Sequence, residues 1–223
     1  MSNENNLDEN IATIKFFINA SKYHYTNLRN KLAEDNQPTI NKEAFEGMVG
    51  NHKGLEIRVP ATIEFTEGYA IELYEFYSFV SAVMASVNSI IDLKCRVYDC
   101  YSEHYSFSFG QYMNPQTRKK KLPSFAPSDA HELITENSNW IQEIKEIRDI
   151  VQHKPIQEFI VAHLFFKGER DEDGNIEDKS FVEKYVPLKN EDQKEISEFC
   201  NSNIINLENF WNDMKMKLNI DVY

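Results

Sequence analysis

The residues best suited to chemistry lie in the run EIRDIVQHKP, residues 146–155. Arg148 carries a planar, permanently charged guanidinium that suits phosphate oxygens. His153 is the type of side chain that gains or loses a proton nearest neutral pH. Asp149 precedes His153 by four residues, a spacing that makes the two side chains neighbours on a helix. These three residue types together suit proton transfer at a phosphate ester.

The helix that carries these residues limits how they can act together. At about 100° per residue, Arg148 and His153 lie roughly 140° apart on an ideal helix. Asp149 is expected to accept a hydrogen bond from the imidazole, and the helix end favours the protonated imidazole. For Arg148 and His153 to converge, the helix end must distort, or a second copy must lie across a dimer axis.

The segment RDIVQH, residues 148–153, resembles the motif of the HEPN superfamily, in which an arginine and a polar residue precede a histidine. The predicted order of elements is similar too, with a long central helix, then the motif helix, then a closing helix. The resemblance covers about residues 60–218 as architecture and 148–153 as motif. It implies a bundle of four or five helices, usually dimeric, whose paired motif helices line a cleft.

The resemblance also implies an activity. Many HEPN members are metal-independent ribonucleases, often toxins or antiviral defence proteins, in which a ribose 2′-hydroxyl attacks the neighbouring phosphodiester. Here His153 would act as general acid or base, Arg148 would stabilise charge on phosphorus, and Asp149 would orient. Other members are inactive, so the alternative is an interaction or dimerisation module that binds a protein or a nucleotide.

The same resemblance implies the partners. We expect a homodimer, an RNA substrate and, as a further alternative, an antitoxin-type or regulatory protein that masks the cleft. No cofactor and no metal are expected, because the other histidines show no ligand spacing with one another or with cysteine.

Two further groups of residues are candidates for the same cleft. Asn88 and Asp92 lie four apart on the most apolar predicted helix and form either cleft-lining polar groups or an internal or exposed hydrogen-bonding pair. Four consecutive cations can steer RNA, although a charge run is also typical of a solvated loop. These cations are Arg118, Lys119, Lys120 and Lys121.

The pattern of apolar residues predicts a mainly α-helical chain. Helices are expected over 7–35, 66–101, 129–153 and 190–218. Residues 105–128 contain three prolines and are expected to form a loop. Asp129 and Glu132 resemble a capping box, and ENSN near 137–139 is expected to interrupt the helix. Residues 158–188 contain two apolar runs around an Asp-Gly turn, and this pattern predicts a β-hairpin.

These elements predict one HEPN-like helical domain over residues 1–223. Residues 1–60 would be an N-terminal helical and loop extension, with an ambiguous strand-like segment at 55–65 that Pro60 interrupts. Residues 156–190 would be a β-hairpin insertion before the last helix.

Composition restricts the class of protein. A net charge of −12 argues against generic nucleic-acid binding, so RNA contact would need a local basic patch. Three cysteines without a CxxC pair are typical of a reducing cytosol. The polar N-terminal sequence lacks the pattern of a signal peptide, and no run of about 18 apolar residues is evident. The expectation is a cytoplasmic protein without a membrane partner.

Overall fold

The computed structural model of the chain describes residues 2–34, 54–61, 67–102, 105–123, 125–153, 161–170, 176–187 and 193–220. Within these ranges the protein is mainly helical. Seven helices are present: α1 Ser2–Glu34, α2 Glu67–Tyr98, α3 Phe109–Met113, α4 Pro115–Lys121, α5 Asp129–Glu136, α6 Ser138–His153 and α7 Ile196–Lys217. The four long helices, α1, α2, α6 and α7, pack against one another as a bundle.

Helix α2 is the centre of this bundle, as its sequence predicts. Apolar residues around most of its circumference are buried, because α1, α6 and α7 all pack on it. Aromatic rings join the helices in pairs. Phe79 of α2 lies 6.4 Å from the ring of Tyr25 in α1, and Phe76 lies 6.0 Å from the ring of Phe199 in α7.

Within α2, the stretch Ala70–Val97 is long and apolar enough to cross a membrane, judged by length and hydropathy alone. In the bundle, 67% of its most apolar window is buried inside the protein. The core helix of a soluble protein has the same properties. The apolar character of α2 is therefore accounted for by the bundle core.

Beside the helices lies a four-stranded antiparallel sheet in the order β1–β2–β3–β4. The strands are β1 Gly54–Ala61, β2 Val161–Arg170, β3 Ile176–Pro187 and β4 Gln193–Glu195. Strands β2 and β3 fall within the expected hairpin at 156–190, and residues 171–175 between them lie outside the described residues. The sheet is wider than that hairpin, since β1 from the N-terminal part pairs with β2 along its whole length. Pro60 is accommodated because β1 is an edge strand.

The sheet is attached to the bundle through strand β3. Val186 is fully buried, and Lys184 reaches the carboxylate of Glu72, in the first turns of α2. Glu72 is completely enclosed. Both charges have left water, so each depends on the other for compensation.

The middle of the predicted loop at 105–128 forms the two short helices α3 and α4, whereas the described residues on either side of them are neither helix nor strand. Asn114 ends α3 and begins α4, because its side chain accepts hydrogen bonds from the amides of Gln116 and Thr117, each at 3.0 Å. Pro115 occupies the first helical position, where its missing N–H costs nothing. Ser108 and Gln111 form a capping box that begins α3. The basic run 118–121 is therefore helical.

The predicted interruption near 137–139 is confirmed, since α5 ends at Glu136 and α6 begins at Ser138. The capping assignment was wrong by one residue. Ser128, not Asp129, is the N-cap of α5, and its hydroxyl accepts a hydrogen bond from the amide of His131. Asp129 follows the cap in the first turn, where its charge still complements the helix dipole.

The buried pair between Glu72 and Lys184 gives a testable expectation. Replacing either partner alone, in Glu72→Met or Lys184→Met, leaves an uncompensated charge in the interior and should reduce the free energy of unfolding by about 3–5 kcal/mol. The double variant replaces both charges with apolar groups and should be far less destabilised than the two single variants combined. Urea unfolding of the four proteins measures this. A double variant whose loss equals the sum of the single losses would contradict a dependent pair.

Candidate functional site

Helix α6 positions Arg148 at the edge of its buried face. Ile141, Ile144 and Ile147 face the core. The start of the helix is anchored by Trp140, whose indole N–H donates to the side-chain oxygen of Asn137 at 2.7 Å. Arg148 follows the last of the three isoleucines, and its side chain remains 25% exposed. The guanidinium thus lies at the surface while its stem packs at the margin of the core.

Asp149 holds this guanidinium in place. Its Oδ1 accepts hydrogen bonds from Nη2 of Arg148 at 2.6 Å and from Nε at 3.1 Å, while its Oδ2 accepts one from Nζ of Lys145 at 2.7 Å. Partial burial of Asp149 raises the pKa of its carboxyl. The hydrogen bonds from Lys145 and Arg148 outweigh that effect, so the net pKa is lowered and the carboxylate stays ionised.

Within the described residues, Asp149 accepts hydrogen bonds from Lys145 and Arg148, and the expected bond between Asp149 and His153 stays a prediction. His153 is the last residue of α6, as predicted, and its side chain lies outside the described part of the chain. The structure brings Arg148 and Asp149 together. The geometry between them and the imidazole remains the expectation drawn from the sequence.

Asp149 uses only one edge of the Arg148 guanidinium. Both of its hydrogen bonds to Asp149 use the edge formed by Nε and Nη2. Nη1 has no hydrogen-bond partner among the described residues. Arginine can bind two anions at once through different edges of its fork, so a second oxyanion has room to bind here.

Asn88 and Asp92 do not present their oxygens to a cleft. The side-chain oxygen of Asn88 accepts a hydrogen bond from the amide of Phe109 at 2.9 Å. Oδ1 of Asp92 accepts one from the amide of Phe107 at 2.7 Å, and its Oδ2 accepts one from Nε of Arg96 at 2.7 Å. The internal hydrogen-bonding alternative is thus the one that the structure supports. Both residues fasten the segment that leads into α3.

This fastening brings α3 to the side of α6. Phe109, which Asn88 holds, is the first residue of α3. A methyl group added at the next residue, Gly110, would lie 3.8 Å from Cε of Lys145. The backbone of α3 therefore lies against the lysine that shares Asp149 with Arg148. Asn88 therefore contributes to the site indirectly, because it positions the start of α3 beside Lys145.

The four basic residues of α4 divide into two kinds. Arg118 folds inward, donating from Nη1 to the carbonyl of Tyr112 at 3.2 Å and lying 4.6 Å from the ring centre of Phe125. Lys119 and Lys120 are exposed to solvent. Lys121 is half-buried, and its ammonium lies 6.0 Å from the ring centre of Phe107. Lys119 and Lys120 are thus the residues best placed to attract a polyanion as the basic run predicts, whereas Arg118 and Lys121 lie against aromatic rings.

A buried cationic cluster, not anticipated from the sequence, lies behind α4. The ammonium of Lys94 is fully enclosed and donates to Oδ2 of Asp99 at 2.6 Å. It lies 5.2 Å and 5.0 Å from the ring centres of Tyr112 and Phe125. The available signal was a lysine in the mostly apolar run SIIDLKC, because a lysine in a helix that is buried on all sides needs a compensating partner.

His131 joins the same cluster from α5. Its Nδ1 lies 2.9 Å from the hydroxyl of Tyr112. Burial lowers the pKa of His131, and the positive charges of Arg118 and Lys94 lower it further, against weaker opposing effects from Asp99 and Glu132. Burial also raises the pKa of Tyr112. The tyrosine is therefore the donor and a neutral histidine is the acceptor.

The fold and the site define a mainly helical bundle protein with an arginine–carboxylate pair on α6, the sixth of its seven described helices. Among the described residues, no group of three or more histidine, cysteine, aspartate or glutamate side chains is arranged to hold a metal ion. The chain matches no protein family, no curated protein and no solved structure.

The lowered pKa of His131 predicts how stability responds to pH. The unfolded chain binds the imidazole proton near the ordinary value of 6.5, whereas the folded chain binds it only at lower pH. The stabilisation from neutral His131 is therefore complete above pH 6.5 and is lost as the pH falls below it. His131→Gln keeps an acceptor for Tyr112 and removes the titration, so its unfolding free energy should depend less on pH. Urea unfolding between about pH 5 and 7 tests this, and equal slopes in both proteins would contradict it.

Proposed function

We propose that the protein is a metal-independent endoribonuclease of HEPN type that acts as a homodimer. The observation that carries the proposal is the arrangement of Arg148, which Asp149 holds by one edge while Nη1 stays without a partner in the described residues. An arginine fixed in this way is preorganised for a phosphate oxygen, and preorganised charge is what transition-state stabilisation requires.

In the proposed reaction, the ribose 2′-hydroxyl attacks the adjacent phosphorus and the 5′-oxygen leaves. His153 of one copy takes the proton from the 2′-hydroxyl, and His153 of the second copy gives a proton to the leaving 5′-oxygen, so that a 2′,3′-cyclic phosphate and a 5′-hydroxyl result. Arg148 stabilises the added negative charge on the phosphoryl oxygens. Asp149 acts as a positioning residue for Arg148, beside its expected role of orienting His153.

The proposal requires two copies of α6. Positions 148 and 153 lie about 140° apart on one straight helix, so a phosphodiester cannot contact both side chains of a single copy easily. Two copies related by a two-fold axis place the arginine of one near the histidine of the other. The exposed Lys119 and Lys120 would contribute to RNA attraction, which the overall charge of −12 opposes.

A specific observation favours a second candidate, a HEPN-like interaction module without catalysis. The charge of Arg148 is already balanced by Asp149, and Asp149 also binds Lys145. A neutralised surface network of this kind suits a protein interface, where arginine is common and unpaired charge is rare. Under this candidate α6 mediates self-association or partner binding, and RNA is not a substrate.

Cleavage of RNA in the presence of EDTA tests the first candidate. His153→Ala should reduce the rate by about 10²- to 10⁴-fold, because a general acid or base is removed. Gln152→Ala is the matched control, since Gln152 is the exposed neighbouring residue of the same turn. Its rate should equal that of the unaltered protein. Cleavage that persists in purified His153→Ala, with the fold intact by circular dichroism, would contradict the assignment.

Arg148→Ala separates the two candidates. For the ribonuclease, this variant should cleave about 10²- to 10³-fold more slowly while remaining dimeric, because it loses charge stabilisation in the transition state. For the interaction module, the unaltered protein should not cleave RNA at all, and Arg148→Ala should dissociate more readily in sedimentation equilibrium. Unaltered catalysis together with dimers that are as stable as those of the unaltered protein would count against the proposed role of Arg148 in both candidates.

A further inference from the structure

A surface cleft of about 250 Å³ lies between α1 and α7, on residues that the proposed ribonuclease site does not use. Each helix contributes three residues to it at the same helical spacing, so one ridge of each helix forms one wall. The lining residues are Lys15, Ile18, Asn19, Glu208, Trp211 and Asn212.

The floor of this cleft is apolar and its rim is polar. Ile18 and Trp211 are almost completely buried in the packing between the two helices. Lys15, Asn19 and Asn212 are exposed around them. A concave site with an apolar floor and a few polar groups is the usual form of a small-molecule site.

The indole N–H of Trp211 is the most informative group in the cleft. Trp211 is only 5% exposed, yet its indole nitrogen donates no hydrogen bond to a described residue. In the described part of the chain, the hydroxyl of Ser81 is the single fully enclosed side-chain polar atom without a partner, so the Trp211 nitrogen is not fully enclosed. The N–H of a tryptophan this deeply buried normally donates a hydrogen bond to the protein. Here the N–H is available to donate a hydrogen bond to a molecule bound in the cleft.

The other polar groups add further donors and one positive charge. The side chains of Lys15, Asn19 and Asn212 have no hydrogen-bond partner among the described residues. The carboxylate of Glu208 is compensated by an ion pair with Lys22, one turn along α1 from Ile18. Among the lining residues, the ammonium of Lys15 is therefore the uncompensated charge, and its sign selects an anion. The ammonium of Lys215, outside the lining, lies 5.5 Å from the ring centre of Trp211 and adds positive charge nearby.

We propose that the cleft between α1 and α7 binds a small organic carboxylate. The apolar part of the molecule lies on Ile18 and Trp211. The carboxylate accepts hydrogen bonds from the Trp211 indole and the Lys15 ammonium, with the carboxamides of Asn19 and Asn212 at its sides. One uncompensated cation above an apolar floor suits a monoanion with a ring or short chain better than a multiply charged phosphate.

Binding can be followed directly at Trp211, because the chain contains only two tryptophans, Trp140 and Trp211. Their two indole N–H signals can be followed by ¹⁵N–¹H correlation spectroscopy during titration with phenylacetate. The signal of Trp211 should shift and saturate at millimolar concentration. The signal of Trp140, whose N–H is already bonded to Asn137, is the internal reference and should stay in place.

Lys15→Gln tests the charge and should weaken phenylacetate binding about tenfold, the size expected for one charge-assisted hydrogen bond. Arg29→Gln is the matched control. It makes the same change in net charge on an exposed residue of α1, about four turns away, and should leave the affinity unchanged. Both variants alter the surface of a helix rather than the core, and circular dichroism confirms that each is folded.

Two ligands complete the test. Phenylacetamide, which is neutral and nearly isosteric, should bind at least tenfold more weakly than phenylacetate. Inorganic phosphate should shift the Trp211 signal less than phenylacetate at equal concentration. The proposal is overturned if the Trp211 signal does not respond to phenylacetate, if phenylacetamide or phosphate binds as well, or if Lys15→Gln and Arg29→Gln behave alike. None of these measurements depends on RNA cleavage.

Discussion

The enclosed ammonium of Lys94 constrains much of the architecture. A lysine without access to water keeps its charge only if a carboxylate and polarisable groups replace the lost solvent. Asp99 supplies the carboxylate, and the rings of Tyr112 and Phe125 supply the remainder. These groups come from three places along residues 99–125. Compensating one charge therefore fixes the path of the chain after α2, including the positions of α3 and α4.

Helix α2 thus does more than supply the apolar core. The carboxylate of Glu72 forms an ion pair with Lys184 of the sheet. The side-chain oxygens of Asn88 and Asp92 accept hydrogen bonds from backbone amides at the start of α3 and just before it. These hydrogen bonds to Asn88 and Asp92 place the backbone of α3 beside Lys145 of α6. The arginine–carboxylate pair on α6 is consequently positioned by polar groups of a helix that is otherwise buried and apolar.

The sequence predicted the long helices because their apolar spacing is local and continuous. It predicted α3 and α4 wrongly as a loop, because the prolines outweighed the local caps at Ser108 and Asn114. The contacts from Asn88 and Asp92 that position α3 come from far away in the chain. The sequence left β1 ambiguous because the partner strand is distant. Within the site, ideal helix geometry points the side chains of the adjacent residues Arg148 and Asp149 in different directions. The two side chains nevertheless form an ion pair, because the arginine is long enough to reach the carboxylate, and α-carbon positions alone do not predict this contact.

The pairing of β1 with β2 has a consequence for how the chain is made. Ala61 pairs with Ala162, so β1 leaves the ribosome about a hundred residues before its partner exists. At translation rates of about 5–20 residues per second, that interval lasts roughly 5–20 s. Helices α1 and α2 can associate during this time, whereas β1 has no partner strand and can pair with strands of other nascent chains. Glu56, Arg58 and Pro60 interrupt its apolar character, and charges and proline are the residues that discourage such a segment from recruiting the wrong neighbour.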